Sequence, residues 1–113
     1  MSINFFQLTL EQRIVQSYNL RKKYTDRVPI IIKATKDIDI KKIKFLAPKD
    51  ITLFQLVYSI RKQITNVKST EALFTFINNI IPNPTMLISD LDDKFKDKDG
   101  FVYITITKEA TFG

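Results

Sequence analysis

The chain has 113 residues and contains neither of the two side chains that most often perform chemistry near neutral pH. It has no cysteine, which excludes disulfides, thiolate ligands and a cysteine nucleophile, and no histidine, the usual general base and nitrogen ligand. Four aspartates lie close together in the sequence, as they do in a calcium-binding loop. They are Asp92, Asp93, Asp97 and Asp99, but no glutamate follows Gly100 at the position where such a loop has its bidentate ligand. We interpret these aspartates as a solvated helix end and turn, and expect no enzymatic activity, no cofactor and no metal.

Positive charge is concentrated in one region of the chain. The formal net charge is +6, but residues 21–49 carry ten Lys/Arg and three Asp, or +7, whereas residues 90–99 carry −2. Such asymmetry predicts an acidic partner, which includes nucleic acid, anionic lipid and acidic peptide. Nucleic-acid readout favours arginine forks or exposed stacking aromatics. The basic region has only Arg21 and Arg27, and we expect its Tyr24 and Phe45 to be half-buried, so no nucleic acid is expected as a partner.

No segment predicts export or membrane insertion. The N-terminus lacks a basic region followed by a long apolar run, and apolar stretches such as residues 28–32 are far shorter than the ~20 residues of a membrane span. We therefore expect the protein in the cytosol, which the absence of cysteine fits.

Two capping-box patterns, Thr9 with Gln12 and Thr52 with Gln55, predict helices that begin immediately after each threonine. Apolar residues at helical spacing follow each box. In the first helix, which extends to about residue 23, they are Leu10, Ile14 and Tyr18, and in the second they are Leu53, Leu56, Ile60 and Ile64.

Two shorter helices are also predicted. Residues 2–7 are a candidate helix, and we expect Phe5 and Phe6 to fasten it to the core, with membrane contact as the alternative role of the two rings. A third helix is predicted with Thr85 as its cap. Its apolar residues are Leu87, Leu91 and Phe95.

Four short segments rich in β-branched and aromatic residues predict strands, with turns at residues 36–41, 78–79 and 97–100. The strands are residues 28–34, 43–47, 72–77 and 101–107. Pro29 has no amide proton, so it must lie where no ladder bond is needed, and Pro48 ends the second strand.

The predicted order α-α-β-β-α-β-α-β is that of a β-grasp. The last strand must lie beside the first to shield it, so we predict an α+β fold with a four-stranded mixed sheet and two additional N-terminal helices. A single domain is expected, divided into a helical extension packed on the core, the core itself and a flexible C-terminal tail. These parts are residues 1–23, 24–107 and 108–113.

Several segments, in matching order and spacing, carry a family resemblance. They are RKKYTDRVPI at 21–30, KFLAPKD at 44–50, IRK at 60–62, ALF at 72–74 and NNIIP at 78–82. Together they resemble the autophagy ubiquitin-like modifiers, the family of the GABA-receptor-associated protein and the microtubule-associated light-chain protein. The likeness extends from Leu10 to Gly113 and implies a ubiquitin-like β-grasp.

The resemblance implies that Gly113 is a conjugation site. Activating and conjugating enzymes of the family, which supply the thioester cysteines, join the terminal glycine carboxylate to the amine of phosphatidylethanolamine. A residue without a side chain passes their narrow channels, and Phe112 matches the aromatic that precedes this glycine. The lipidated form is then expected on autophagosomes or other vesicles. Conjugation to a protein lysine, and an adaptor that is never conjugated, remain open alternatives.

The resemblance also implies that receptor or adaptor proteins dock on the exposed edge of the second strand through short aromatic-x-x-aliphatic motifs. The expected aromatic subsite consists of Gln16, Leu20, Pro29, Ile31, Lys44, Leu46 and Phe101. The expected aliphatic subsite consists of Phe45, Ala47, Pro48, Ile51, Leu56 and Ser59. Acidic residues that flank the motif would be attracted by Arg27, Lys42 and Lys44.

Five positions depart from the family pattern. A glutamate is common at Gln16, a basic residue at Ile43, large aliphatic residues at Ala47 and Ser59, and a glycine at Phe54. We therefore predict a wider or shallower aliphatic subsite and an altered choice of ligand.

Overall fold

The computed structural model describes residues 4–109, and Gly113 lies outside the described residues. The elements follow the predicted order. They are a 3-10 helix (Phe5–Gln7), α1 (Leu10–Lys23), β1 (Arg27–Ala34), β2 (Lys44–Pro48), α2 (Leu53–Arg61), β3 (Phe74–Phe76), α3 (Ile88–Phe95) and β4 (Val102–Thr107). None of the helices between residues 4 and 109 combines the length and hydrophobicity needed to cross a bilayer.

The four strands form one mixed sheet in the order β2-β1-β4-β3. β1 and β4 are parallel, and the other two pairs are antiparallel. This arrangement confirms the predicted α+β fold, with the last strand beside the first. The β1–β4 pairing begins at Ile30 with Val102, so Pro29 precedes the ladder and its missing amide proton costs no bond there.

The sheet buries apolar residues on both faces. One face, covered by α2 and α3, forms the main core, in which Ile30 and Ile32 of β1 are fully buried beside Leu56, Ile60 and other residues. On the opposite face a smaller cluster forms from Phe5, Ile31 and Phe101. Alternation along a strand sends neighbouring side chains to opposite faces, which explains why consecutive isoleucines serve two clusters.

Both predicted capping boxes are present. The amide of Gln12 donates to Thr9 Oγ1 at 3.1 Å, and the amide of Gln55 donates to Thr52 Oγ1 at 3.2 Å. Each glutamine side chain accepts in return from the amide of its threonine. The helix starts are therefore local properties of the sequence.

Three predicted elements have a boundary that was wrong by two residues or more, while the other strand ends differ by one residue at most. Thr85 does not cap α3, because its hydroxyl donates to Asn83 Oδ1 at 2.8 Å and the helix begins three residues later. α2 ends at Arg61, since Ile64 pairs with Ile40 in an isolated bridge. β3 spans only Phe74–Phe76, the segment that pairs with β4.

Two of the four aspartates expected to be solvated are buried instead. Asp92 accepts two hydrogen bonds from Arg21, at 2.7 and 2.8 Å, and Asp99 accepts one from Arg13 Nε at 3.0 Å. Both arginines belong to α1, so these ion pairs attach α1 to the C-terminal part of the fold. Ser17, on the same side of α1, donates to the backbone oxygen of Asp99.

Candidate functional site

The outer edge of β2 is the candidate site, because within residues 4–109 this strand pairs only with β1. In an antiparallel pair, residues that bond to the partner strand alternate with residues whose backbone groups point away. The amide of Ile32 donates to the oxygen of Ile43 at 2.8 Å, which sets this alternation. The backbone groups of Lys44 and Leu46 therefore point outward and are available to an added strand.

The side chains of β2 divide between the two faces of the sheet. Phe45 and Ala47 are buried in the main core. Lys44 and Leu46 are half-buried on the opposite face, where α1 lies. An extended peptide on this edge would therefore have one set of surroundings for side chains pointing toward α1 and another for side chains pointing toward α2.

Arg27 occupies one acceptor of the edge. Its Nη1 donates to the backbone oxygen of Leu46 at 3.1 Å. A peptide that adds to β2 has to displace this bond or leave it in place and pair only with the remaining groups. Arg27 thus combines a positive charge, suited to acidic flanking residues, with partial masking of the edge.

A shallow groove of about 260 Å³ lies between α1 and β2, lined by Gln16, Asn19, Leu20 and Lys44. Three of these residues belong to the predicted aromatic subsite. Lys44 Nζ donates to Gln16 Oε1 at 2.9 Å, and this bond spans from β2 to α1. Asn19 was missed by the sequence analysis, although it follows Gln16 by three residues and so shares a helix face with it.

The other members of the predicted aromatic subsite lie deeper. Pro29 is buried, and Ile31 and Phe101 have no exposed surface. Phe5 packs on them, with its ring in an edge-on contact 5.1 Å from that of Phe101. The ammonium of Lys44 lies 5.3 Å from the centre of the Phe5 ring. Ile31 and Phe101 are therefore a floor beneath Phe5 in this conformation.

The two N-terminal rings, which were both expected to fasten their helix to the core, differ in their burial. Phe5 is buried and fastens the 3-10 helix to the sheet, as expected, whereas Phe6 remains exposed. The position of Phe5 above Ile31 and Phe101 could not be derived from spacing, because it depends on the path of the chain between the 3-10 helix and α1.

The predicted aliphatic subsite lies at the junction of β2 and α2. Phe45, Ala47 and Leu56 are buried behind it, Pro48 and Ile51 are half-buried, and Ser59 is exposed. The ammonium of Lys42 lies 5.0 Å from the centre of the Phe45 ring. Ser59 Oγ makes only a long bond of 3.4 Å to the oxygen of Gln55, so the α2 side of this subsite presents a small polar group.

Tyr103, which packs against the smaller cluster, has a strongly shifted pKa. Burial of Tyr103 and the hydrogen bond from its hydroxyl to Asp99 Oδ2 both raise the pKa of Tyr103 well above its usual range. The neutral phenol is therefore the stable form, and it connects β4 to the Asp99 ion pair.

A model of the family described as "Autophagy protein Atg8 ubiquitin like" matches residues 12–113 of the chain. The chain belongs to the Atg8 family. Its relatives include autophagy-related protein 8 of Dictyostelium discoideum, 45% identical over 107 residues that cover 92% of this chain and 88% of the relative. Autophagy-related protein 8b of Arabidopsis thaliana is 41% identical, with 100% and 96% coverage. The chain is an autophagy ubiquitin-like modifier.

Solved Atg8 structures have the same fold. The crystal structure of Trypanosoma brucei ATG8 matches with a TM-score of 0.83 and 34% identity, covering 100% of this chain and 99% of the other. Plasmodium falciparum Atg8, solved in complex with a Plasmodium falciparum Atg3 peptide, matches with a TM-score of 0.84 and 25% identity, covering 99% and 100%. The β-grasp is therefore of the ubiquitin-like type.

Proposed function

We propose that this Atg8-family chain is joined through Gly113 to phosphatidylethanolamine on autophagosomal membranes, and that it recruits receptors by docking their aromatic-x-x-aliphatic motifs on the edge of β2. The free protein is cytoplasmic in this proposal and does not itself catalyse a reaction. The observation that carries the docking is the outward-facing backbone of Lys44 and Leu46, with different side-chain surroundings on each face.

An added strand gains affinity from main-chain hydrogen bonds and specificity from alternate side chains. On the α1 side, Leu20 and the groove beside Gln16 suit an aromatic anchor. On the α2 side, Pro48 and Ile51 suit an aliphatic anchor. The two sets occupy opposite faces of the strand. Side chains of an extended peptide reach opposite faces when they are an odd number of residue positions apart, and the two anchors of aromatic-x-x-aliphatic are three positions apart.

Two observations support conjugation by the autophagy enzymes. The family match continues to residue 113, the position of the glycine. A relative of the same fold has been solved with an Atg3 peptide, which supports a similar contact between this chain and its conjugating enzyme. The ends of the fold are compatible with this, since Glu109, two residues beyond β4, is exposed.

Reconstitution tests the conjugation. The protein is incubated with activating and conjugating enzymes, ATP and liposomes with or without phosphatidylethanolamine, and the product is identified by mass spectrometry. The full chain should form a lipid adduct only on liposomes that contain the amine lipid, and deletion of Gly113 should abolish it. An isopeptide bond to a protein lysine, or no adduct at all, would contradict lipid conjugation and favour one of the two alternatives.

Titration with a fluorescent aromatic-x-x-leucine peptide tests the docking. Leu46→Asp places a charge within the proposed aromatic subsite and should weaken binding about tenfold or more. Ser59→Leu adds apolar surface on the α2 side and should tighten binding about threefold to tenfold. Ile81→Ser changes an exposed side chain that follows β3, at the opposite edge of the sheet from β2, and serves as the control. Equal binding by all four proteins would exclude the β2 edge.

A further inference from the structure

One exposed flank of α1 carries apolar side chains, although polar residues such as Glu11 and Asn19 share the exposed surface of the helix. Leu10, Ile14 and Tyr18 follow one another at intervals of four residues and are 37%, 42% and 64% exposed. Val15, next to them, is also exposed. At a rise of about 1.5 Å per residue, this apolar row is roughly 12 Å long.

The inward face explains why the row points outward. Arg13, Ser17 and Arg21 are also spaced by four residues, and all three donate hydrogen bonds to the segment around Asp99 and Gly100 or to Asp92. These polar contacts fix the rotation of α1 about its axis. The apolar row therefore cannot turn toward the sheet without breaking two ion pairs, and it remains available to a partner.

Uncompensated cations border the C-terminal end of the row. A groove of about 260 Å³ runs beside Ile14 and Tyr18, and its far wall carries Lys96 and Lys98. Among residues 4–109, no acceptor holds either ammonium group. Lys22 follows Tyr18 by four residues, so it continues the same helix face. Asp97 is the one nearby carboxylate of the groove that no arginine pairs, so the charge at this end is positive.

The shape of this surface favours a lipid interface over a protein partner. The apolar side chains lie on the crest of a convex helix, and the adjoining groove is shallow and open to solvent. A folded or peptide partner would need a concave apolar complement, whereas the interfacial layer of a bilayer adapts to a protruding ridge. Tyrosine and lysine are side chains that suit the headgroup level, with the aliphatic side chains below them.

We propose that this exposed apolar flank of α1 is a weak, reversible docking surface for anionic membranes, with Ile14 and Tyr18 entering the interface and Lys22, Lys96 and Lys98 contacting lipid headgroups. This surface is distinct from the edge of β2 and does not depend on conjugation. It would orient the protein on a membrane rather than anchor it, because so few side chains enter the interface.

Flotation of the unconjugated full chain with vesicles tests the proposal. Vesicles of phosphatidylcholine with phosphatidylserine should carry the protein, and vesicles of phosphatidylcholine alone should carry much less. The double change Ile14→Ser/Tyr18→Ser should lower the bound fraction about tenfold. Lys96→Gln/Lys98→Gln should lower it only on the anionic vesicles. The matched control is Phe54→Ser/Tyr58→Ser, which changes two exposed aromatic residues of α2 and should bind like the wild type.

A local probe separates insertion from charge attraction alone. The chain has no tryptophan, so Tyr18→Trp introduces a single reporter whose fluorescence brominated lipids should quench, whereas the reporter in Tyr58→Trp should stay unquenched. Failure of the wild type to float, equal flotation on both vesicle types, or equal quenching of both reporters would overturn the proposal. Because every protein here is unconjugated, such a failure leaves conjugation through Gly113 untouched.

Discussion

Asp99 shows how much one buried carboxylate can organise. It is 1% exposed, and its two oxygens accept from Arg13 Nε, the hydroxyl of Tyr103 and the amide of Phe101. Its backbone oxygen accepts from Ser17. A buried charge is tolerated only when it is paired and hydrogen-bonded, and these donors come from α1, from β4 and from the turn before β4.

We expect Asp99→Asn to lower the free energy of unfolding by about 2 kcal/mol, because Arg13 loses its ionic partner and an amide cannot accept at both oxygen positions. Urea unfolding followed by circular dichroism measures the change. The control is Asp97→Asn, two residues away on the exposed side of the same turn, for which a change within about 0.5 kcal/mol is expected. Equal effects of the two substitutions would show that the Asp99 pairing contributes little net stability.

The elements differ in how far local sequence specifies them. The starts of α1 and α2 follow from capping boxes that need no tertiary partner, and the β-branched runs are strands as predicted. β3 is shorter than its apolar run because its length is set by pairing with β4. The predicted start of α3 was wrong because the Thr85 hydroxyl donates to Asn83 Oδ1 in a local turn and does not cap the helix.

The orientation of α1 is the clearest case in which the sequence pattern is insufficient. A row of Leu10, Ile14 and Tyr18 predicts a helix, and the helix is there, but the row faces solvent. The deciding contacts are long-range pairs such as Arg21 with Asp92, separated by 71 positions in the chain. Single-sequence reasoning assigned these aspartates to solvent for the same reason, since their partners lie on another element.

The candidate site was also predictable only in part. Neighbouring side chains of β2 lie on opposite faces of the sheet, as alternation along a strand requires. The depth of Ile31 and Phe101 depends on Phe5, which a segment outside the β-grasp places over them. The N-terminal segment therefore covers two residues of the proposed aromatic subsite in this conformation.

At the scale of the whole molecule, the polar contacts between α1, β4 and the preceding turn should appear in how stability depends on pH. Burial, the hydrogen bond to Asp99 and the nearby negative charge of Asp99 raise the pKa of Tyr103 in the folded protein. In the unfolded chain the same phenol titrates near its ordinary value of about 10. The stabilisation is therefore fully present below about pH 10 and is lost as the pH rises further, because only the unfolded chain then releases the proton.

We expect the free energy of unfolding of Tyr103→Phe to fall less steeply with pH above about 10, because the variant has no phenol to ionise at this position. The slope should differ from that of the wild type by at most the contribution of one proton. Urea unfolding at a series of alkaline pH values measures this slope. Tyr18→Phe removes an exposed hydroxyl and should retain the wild-type slope. If Tyr103→Phe also kept that slope, the phenol would titrate alike in both states, and the Tyr103–Asp99 bond would not persist at alkaline pH. A flatter slope would show that the phenol keeps its proton above pH 10 for as long as the molecule is folded, as its burial and its bond to Asp99 require.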